Sequence, residues 1–244
     1  MSLPLAPQST IGQKIVMAIS GLLIIGFLVA HFTGNLLLFV GRDAFNLYAH
    51  KLTSTPLIYV AETGLLLIFL YHMVTGIRLT LANKAARGDA GYRVKQRLGE
   101  GTLMSKTMAV SGIVILVFLV LHICTFKFGT DVSPDYVPVG HTDEVRDLYS
   151  LVVTEFGKAW YVAIYVVAMI AMGLHLAHAF QSACRTLGLS DGGYAAAAKK
   201  LSVAIAVAFA VGFSSFPLYF LANGKPPAKA PQVQVETVEG GLAQ

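Results

Sequence analysis

The chain reads as an all-α integral membrane bundle of five transmembrane helices. Three observations predict this. Mean hydropathy is +0.66. Only 13% of the 244 residues are charged, against about 25% in soluble domains. Five apolar runs each reach the roughly 20 residues that a helix needs to cross a bilayer. They fall at about 15–40, 56–82, 106–127, 158–184 and 197–222. None alternates as a strand would, so helices rather than a barrel satisfy the backbone in lipid.

The first run follows Lys14. It is too long for the apolar region of a signal peptide and lacks a small-residue cleavage site, so it is read as the first span. The connecting segments then set direction. Segment 83–106 carries Lys84, Arg87, Arg93, Lys95, Arg97 and Lys106 against Asp89 and Glu100, and 185–200 adds Arg185, Lys199 and Lys200. Segment 41–55 has only Arg42 and Lys51 as bases, and 128–157 is acidic. Because short cytoplasmic loops concentrate Lys and Arg, the N-terminus and both basic segments are expected in the cytoplasm.

The net charge of +5 follows from that topology and gives no reason to expect nucleic acid. Residues 1–222 form one membrane domain on this reading. The Pro/Ala/Gly-rich stretch 223–244 is expected to be a disordered tail. Within the acidic segment, "DEVRDLYSLVVTEF" (143–156) is expected to form a short amphipathic helix on the membrane surface. Cys124 and Cys184 fit no CxxC or CxxCH pattern and are expected to be buried free thiols.

The first and third runs share a sentence. "MAISGLLIIGFLVAH" (17–31) and "MAVSGIVILVFLVLH" (108–122) agree at nine of fifteen positions, and both end on histidine. Of seven histidines, His50 and His141 fall in outer segments and the other five lie in spans: His31, His72, His122, His175 and His178.

A helical rise of about 1.5 Å per residue gives their depths. His31 lies roughly 25 Å beyond Lys14, and His122 roughly 24 Å beyond Lys106, both toward the outer surface. His72 is roughly 9 Å before Arg78 and His175 roughly 15 Å before Arg185, both in the inner half. His178 lies about 10 Å before Arg185 on the same face as His175, so spacing does not choose between them.

Ionisable side chains are costly in a bilayer and point to function. Two imidazoles at one depth on different helices can occupy the two axial positions of a haem iron. Zinc would want further Cys, His or carboxylate ligands. In each copy of the echo a Ser-Gly pair (Ser20–Gly21, Ser111–Gly112) precedes the histidine by about three turns on a similar face. Small residues there leave room for a flat macrocycle, as do Gly34 and Gly76 one turn past His31 and His72. The echo thus reads as two helices each making the same half of a cofactor site.

The stretch "FNLYAHKLTSTPLIYVAETGLLLIFLYHMVTGIRL", with His31, His122 and "HLAHAFQSACRTLG", resembles the membrane-anchor cytochrome b subunit of succinate dehydrogenase and fumarate reductase. The likeness is to the single-chain, five-helix, dihaem type and covers nearly all of 10–220. It implies two haems b, with His31 and His122 ligating the one distal to the soluble subunits and His72 a ligand of the proximal one. In that family the fourth-helix ligand lies thirteen residues before a helix-ending glycine. Here Gly188 is that glycine, which favours His175 and leaves His178 beside a propionate or in a structural role. Arg78, near the inner haem depth, is a candidate propionate partner.

The resemblance further implies flavoprotein and iron–sulfur partner subunits docked on the basic cytoplasmic face, and a bacterial cytoplasmic membrane as the location. Electrons would pass between the iron–sulfur subunit and a membrane quinone, usually menaquinone. His50, Lys51 and Glu62, near the outer surface, are candidates for the quinone site, since a carboxylate there could exchange protons with it. Two rival readings stand beside this one. The first is the quinone-linking cytochrome b of another membrane dehydrogenase. The second is a haem-free transporter, whose expected signs are broken spans and an inverted repeat; the echo here is parallel.

Overall fold

The computed structural model describes residues 9–85, 107–133, 135–189 and 193–224. All regular structure among them is helical. Helix α1 (Thr10–Asn35) starts where the Ser9 hydroxyl accepts from the Gly12 amide at 3.0 Å, satisfying one of the orphan donors of a first turn. After Leu36 the chain continues as the short α2 (Leu37–Val40), and Gly41, at φ +140°, makes the turn that an L side chain would resist. Then come α3 (Arg42–Thr53) and α4 (Leu57–Ala85). They are followed by α5 (Met108–Phe126), α6 (Leu148–Phe156), α7 (Ala159–Thr186) and α8 (Tyr194–Asn223).

Among the described residues, five helices are long and apolar enough to cross a membrane: Ile11–Val40, Leu57–Ala82, Met108–Phe126, Ala159–Thr186 and Tyr194–Asn223. Each matches an expected span to within a few residues. The residues expected to form most of the basic docking face (Arg87, Arg93, Lys95, Arg97 and Lys106) and the tail from 225 onward lie outside the described residues.

Helix α7 is the spine of the bundle. It packs on α8, α5 and α1 and buries Tyr161, Tyr165, Met169, Met172 and Leu176. Its closest approach is to α8, where a Cβ on Gly173 would lie 2.9 Å from Ala210 Cβ and 3.3 Å from the Ala206 carbonyl oxygen. Small residues let these two backbones meet. Gly188, at φ +73°, follows α7 as a left-handed cap, with the Leu189 amide donating to the Cys184 carbonyl at 2.8 Å. Helix α4 packs chiefly on α1. Its other side exposes Leu66, Leu67 and Ile77, and α5 likewise exposes Val110, Ile113 and Val117, as lipid-facing surfaces do.

One end of the bundle carries a cap that corrects two expectations. Segment 41–55, expected as a loop, is largely the helix α3. The helix expected over 143–156 starts only at Leu148, and it does not lie on the surface. Ser150, Leu151, Val152, Val153 and Phe156 are all buried, packed against α3, α7 and α8. The physical reason is Asp147, fully buried at the N-cap of α6. Its carboxylate receives Arg42 Nε at 3.2 Å, Arg42 Nη2 at 2.6 Å, Asn46 Nδ2 at 2.7 Å and the Ser150 amide at 3.2 Å.

Burial alone would raise the Asp147 pKa, but hydrogen bonds from Arg42, Ser150 and Asn46 outweigh it and hold the carboxyl below its ordinary value. Asn46 also accepts from the Tyr149 amide at 2.8 Å, and the Arg42 guanidinium stands 4.1 Å over the Tyr136 ring. Arg146 donates to the carbonyls of Phe126 (2.9 Å) and Gly129 (2.8 Å), closing the end of α5. Polar contacts therefore pin the cap to the bundle where an amphipathic stripe suggested lipid.

Candidate functional site

Four of the span histidines form two facing pairs, one toward each end of the bundle. Nearer the cap, His31 on α1 faces His122 on α5, with ring centroids 5.8 Å apart and planes at 87°. His31 is stacked between Phe27 (5.4 Å) and Phe213 of α8 (5.9 Å). His122 stands beside Phe118 and Phe126 and has its Nδ1 2.8 Å from the Tyr165 hydroxyl. Neither α1 with α5 nor α4 with α7 is a closely packed helix pair. The facing imidazoles therefore bridge helices that otherwise stand apart.

The second pair is His72 on α4 and His175 on α7, with centroids 6.5 Å apart and planes at 61°. Here the echoed Ser-Gly pairs reappear. Ser20 Oγ lies 3.1 Å from His72 Nδ1, and Ser111 Oγ lies 3.2 Å from His175 Nδ1. A Cβ on Gly21 would meet His72 Cε1 at 3.2 Å, and one on Gly112 would meet His175 Cε1 at 3.7 Å. The small residues of each echo thus seat the imidazole of the neighbouring helix, where room for a macrocycle was expected. Gly34 and Gly76 behave similarly: the first faces the Tyr48 ring and the second Met17 Cε.

The echo also sets the distance between the pairs. Ser20 and His31 are eleven residues apart on one uninterrupted helix, as are Ser111 and His122. Eleven residues rise about 16 Å and end about 20° past three full turns. Each echo helix therefore presents, on one face, a serine at the level of the second pair and a histidine at the level of the first.

Of the two α7 histidines, His175 faces His72; His178 is half-buried one turn further along. Arg78 is exposed on α4. Glu62 of α4 forms an ion pair with Lys127, just past α5, toward the capped end. His50 and Lys51 are exposed in the last turn of α3. Cys184 is buried as expected, but Cys124 is exposed, because its face of α5 points away from α7.

Residues at these sites that were not singled out from sequence are Tyr165, Lys127 and the phenylalanines against the first pair, Phe27, Phe118, Phe126 and Phe213. Tyr165 had a signal available, since a tyrosine inside a span needs a partner for its hydroxyl. Lys127 sits at a span boundary, where a lysine is unremarkable. Among the described residues, no group of three or more His, Cys, Asp or Glu gathers as it would for a metal held by side chains alone. No family profile, curated protein or solved structure matches this chain.

Proposed function

We propose that this chain is the membrane-anchor cytochrome b subunit of a succinate:quinone oxidoreductase, working toward succinate oxidation or fumarate reduction. On this reading it holds two haems b, one between His31 and His122 and one between His72 and His175. The observation that carries the reading is the pairing itself: one histidine from each of four helices, in two facing pairs.

The residues fit the group. Metal–imidazole nitrogen bonds run about 2.0 Å, so two imidazoles sharing an iron through one nitrogen each have centroids roughly 6 Å apart. The spacings of 5.8 and 6.5 Å bracket that value. In three of the four histidines Nδ1 is already engaged by a hydroxyl, which leaves Nε2 as the nitrogen available to a metal. A pair supplies two ligands, as a porphyrin iron requires.

When bound, haem supplies one-electron storage at each level. The chain's own residues would bind and orient it, and Phe27, Phe118, Phe126 and Phe213 pack their rings against the first pair. Electrons would enter from an iron–sulfur subunit, itself served by a flavoprotein, at the end carrying the basic segments 83–106 and 185–200. That end is cytoplasmic in this assignment, and the membrane is the bacterial cytoplasmic membrane. They would meet the quinone, menaquinone in this type, toward the capped end, where Glu62 and Lys127 form a charge pair and His50 and Lys51 lie in the last turn of α3.

The test is a dithionite-reduced difference spectrum of the full chain expressed with ample haem, together with identification of co-purifying chains. Two haems b per chain are expected, with flavin- and iron–sulfur-containing partners. His31→Ala or His122→Ala should remove one haem, and His72→Ala or His175→Ala the other. Absence of any b-type band would sink the cytochrome reading. Both haems with a different dehydrogenase as partner would redirect it to another enzyme class. Loss of haem in His178→Ala but not in His175→Ala would move the fourth ligand.

A further inference from the structure

The two histidine pairs are supported by different chemistry, and hydroxyl proton counting shows how. A serine hydroxyl has one proton to give. Ser20 gives its proton to the Met17 carbonyl at 3.1 Å, and Ser111 gives its own to the Met108 carbonyl at 3.1 Å. The lone pairs of each Oγ are what remain for the imidazole 3.1 or 3.2 Å away. With each serine proton committed to a helix carbonyl, Nδ1–H of His72 and of His175 is the donor, and the Met17 and Met108 carbonyls stand within reach of the same rings as further acceptors; Nε2 carries the free lone pair. Backbone geometry within α1 and α5 thereby sets the tautomer of a ring on α4 and α7.

The other pair has no such symmetry. His122 Nδ1 meets a phenol, Tyr165, at 2.8 Å, whereas His31 is held between two stacked phenyl rings. A phenol can accept from Nδ1–H, which again leaves Nε2 as the ligating nitrogen. It can also donate, so Tyr165 does not lock the tautomer as a committed serine does. Tyr165 is itself boxed in by Phe118 (4.7 Å), Phe156 (4.9 Å) and Tyr161 (5.1 Å), so its oxygen is fixed in place.

We propose that Ser20 and Ser111 are positioning residues that lock His72 and His175 as Nδ1–H tautomers, that Tyr165 positions His122 alone, and that this two-against-one division tunes the two pairs separately. The tuning half rests on the haem reading above; the tautomer half does not. Donation from Nδ1–H raises the basicity of Nε2 as a metal ligand and so favours the more oxidised iron. Removing an acceptor should raise the midpoint potential of the haem it serves and leave the other where it was.

The experiment uses the full chain in lipid nanodiscs. Redox titration of wild type, Ser20→Ala, Ser111→Ala and Tyr165→Phe reads the two potentials. Nitrogen-15 NMR of labelled histidine in the reduced, diamagnetic state reads which ring nitrogen carries the proton. Expected are an upward shift of one haem in both serine variants, a shift of the other in Tyr165→Phe, and protonated Nδ1 at His72 and His175 in the wild type. Ser20→Thr, which keeps the hydroxyl, should restore the wild-type potential.

Equal shifts of both haems, no shift with both haems retained, or Nε2–H at His72 or His175 would each overturn the proposal. So would haem loss in Ser20→Thr as well as in Ser20→Ala, since that assigns the serine to packing. A wild type that binds no haem but displays the Nδ1–H signals at His72 and His175, lost in the serine variants, would sink the cytochrome reading and uphold the tautomer lock.

Discussion

The glycines beside the second histidine pair offer a sharp discrimination, because two nearly equivalent positions differ in clearance by half an ångström. A methyl added at Gly21 lands 3.2 Å from His72 Cε1; one added at Gly112 lands 3.7 Å from His175 Cε1. Carbon–carbon contacts are best at about 3.5–4.0 Å, so Gly112→Ala makes an ordinary contact and Gly21→Ala is a few tenths of an ångström too close. The His72 ring must retreat by roughly that amount. Its hydrogen bond to Ser20, now 3.1 Å, would stretch toward 3.5 Å, where such bonds cease to count.

Losing that bond costs about 1 kcal/mol, of the same size as the helix-propensity gain of about 1 kcal/mol that alanine brings over glycine. The fold should therefore barely notice Gly21→Ala, while the imidazole loses its anchor. On the haem reading proposed above, we expect Gly21→Ala to lower occupancy of one haem with little change in thermal stability, and Gly112→Ala to keep both haems and to be neutral or slightly more stable. Haem content per chain by pyridine haemochrome, alongside thermal unfolding in detergent, checks both. Loss of haem in Gly112→Ala equal to that in Gly21→Ala would refute the reasoning, because it would mean that the macrocycle, and not the imidazole, lies against these glycines.

Two further outcomes follow from the cap and the spine. Asp147 is depressed in the folded state, so its contribution is fully present above its unfolded value of about 3.9 and is lost as pH falls through the lower folded value; thermal unfolding should weaken over that acid window in the wild type and lose this component in Asp147→Asn. At neutral pH, Asp147→Asn should cost about 2 kcal/mol, less than the 3–5 kcal/mol typical of fully buried pairs, because Arg42 remains 34% exposed; equal stability of variant and wild type would contradict the keystone role. In the spine, Gly173→Ala sets a methyl 2.9 Å from Ala210 and against the Ala206 carbonyl, neither of which can yield without parting α7 from α8. Overpacking of about 1–3 kcal/mol is expected, read against Gly26→Ala, whose added Cβ meets nothing within 4 Å.

The spans and the histidine pairing were legible in the sequence for the same reason. Lipid demands long apolar helices, and a fixed rise per residue turns sequence position into depth. Counting from Lys14 and Arg78 was enough to put His31 and His72 at different levels. What could not be counted was rotation. Whether Gly21 faces a cofactor or the ring of His72 depends on how α1 turns against α4, and no interval within α1 contains that angle. The cap was hidden by range: Arg42 and Asp147 meet across 105 positions, and without Arg42 the apolar run 151–153 looks like a membrane-surface stripe. Glu62 was noticed as a lone carboxylate, and its partner Lys127 stayed invisible for the same reason.

Why the sentence is written twice can now be argued from geometry. Helix α1 packs on α4 and α5 packs on α7, so the serine of each copy reaches the histidine of its own neighbour. The histidine that ends each copy points instead across the bundle to the other copy. One pair is thus set by two helix–helix contacts and the other by the gap between the two echo helices. Both depend on the same two uninterrupted rods. A slip of α1 by one residue would move it about 1.5 Å and turn it about 100°, breaking Ser20 from His72 and His31 from His122 together. The eleven-residue interval is therefore a shared constraint: any change that keeps one pair in register through α1 or α5 must keep the other, and two copies of one spacing meet that condition on both sides of the bundle.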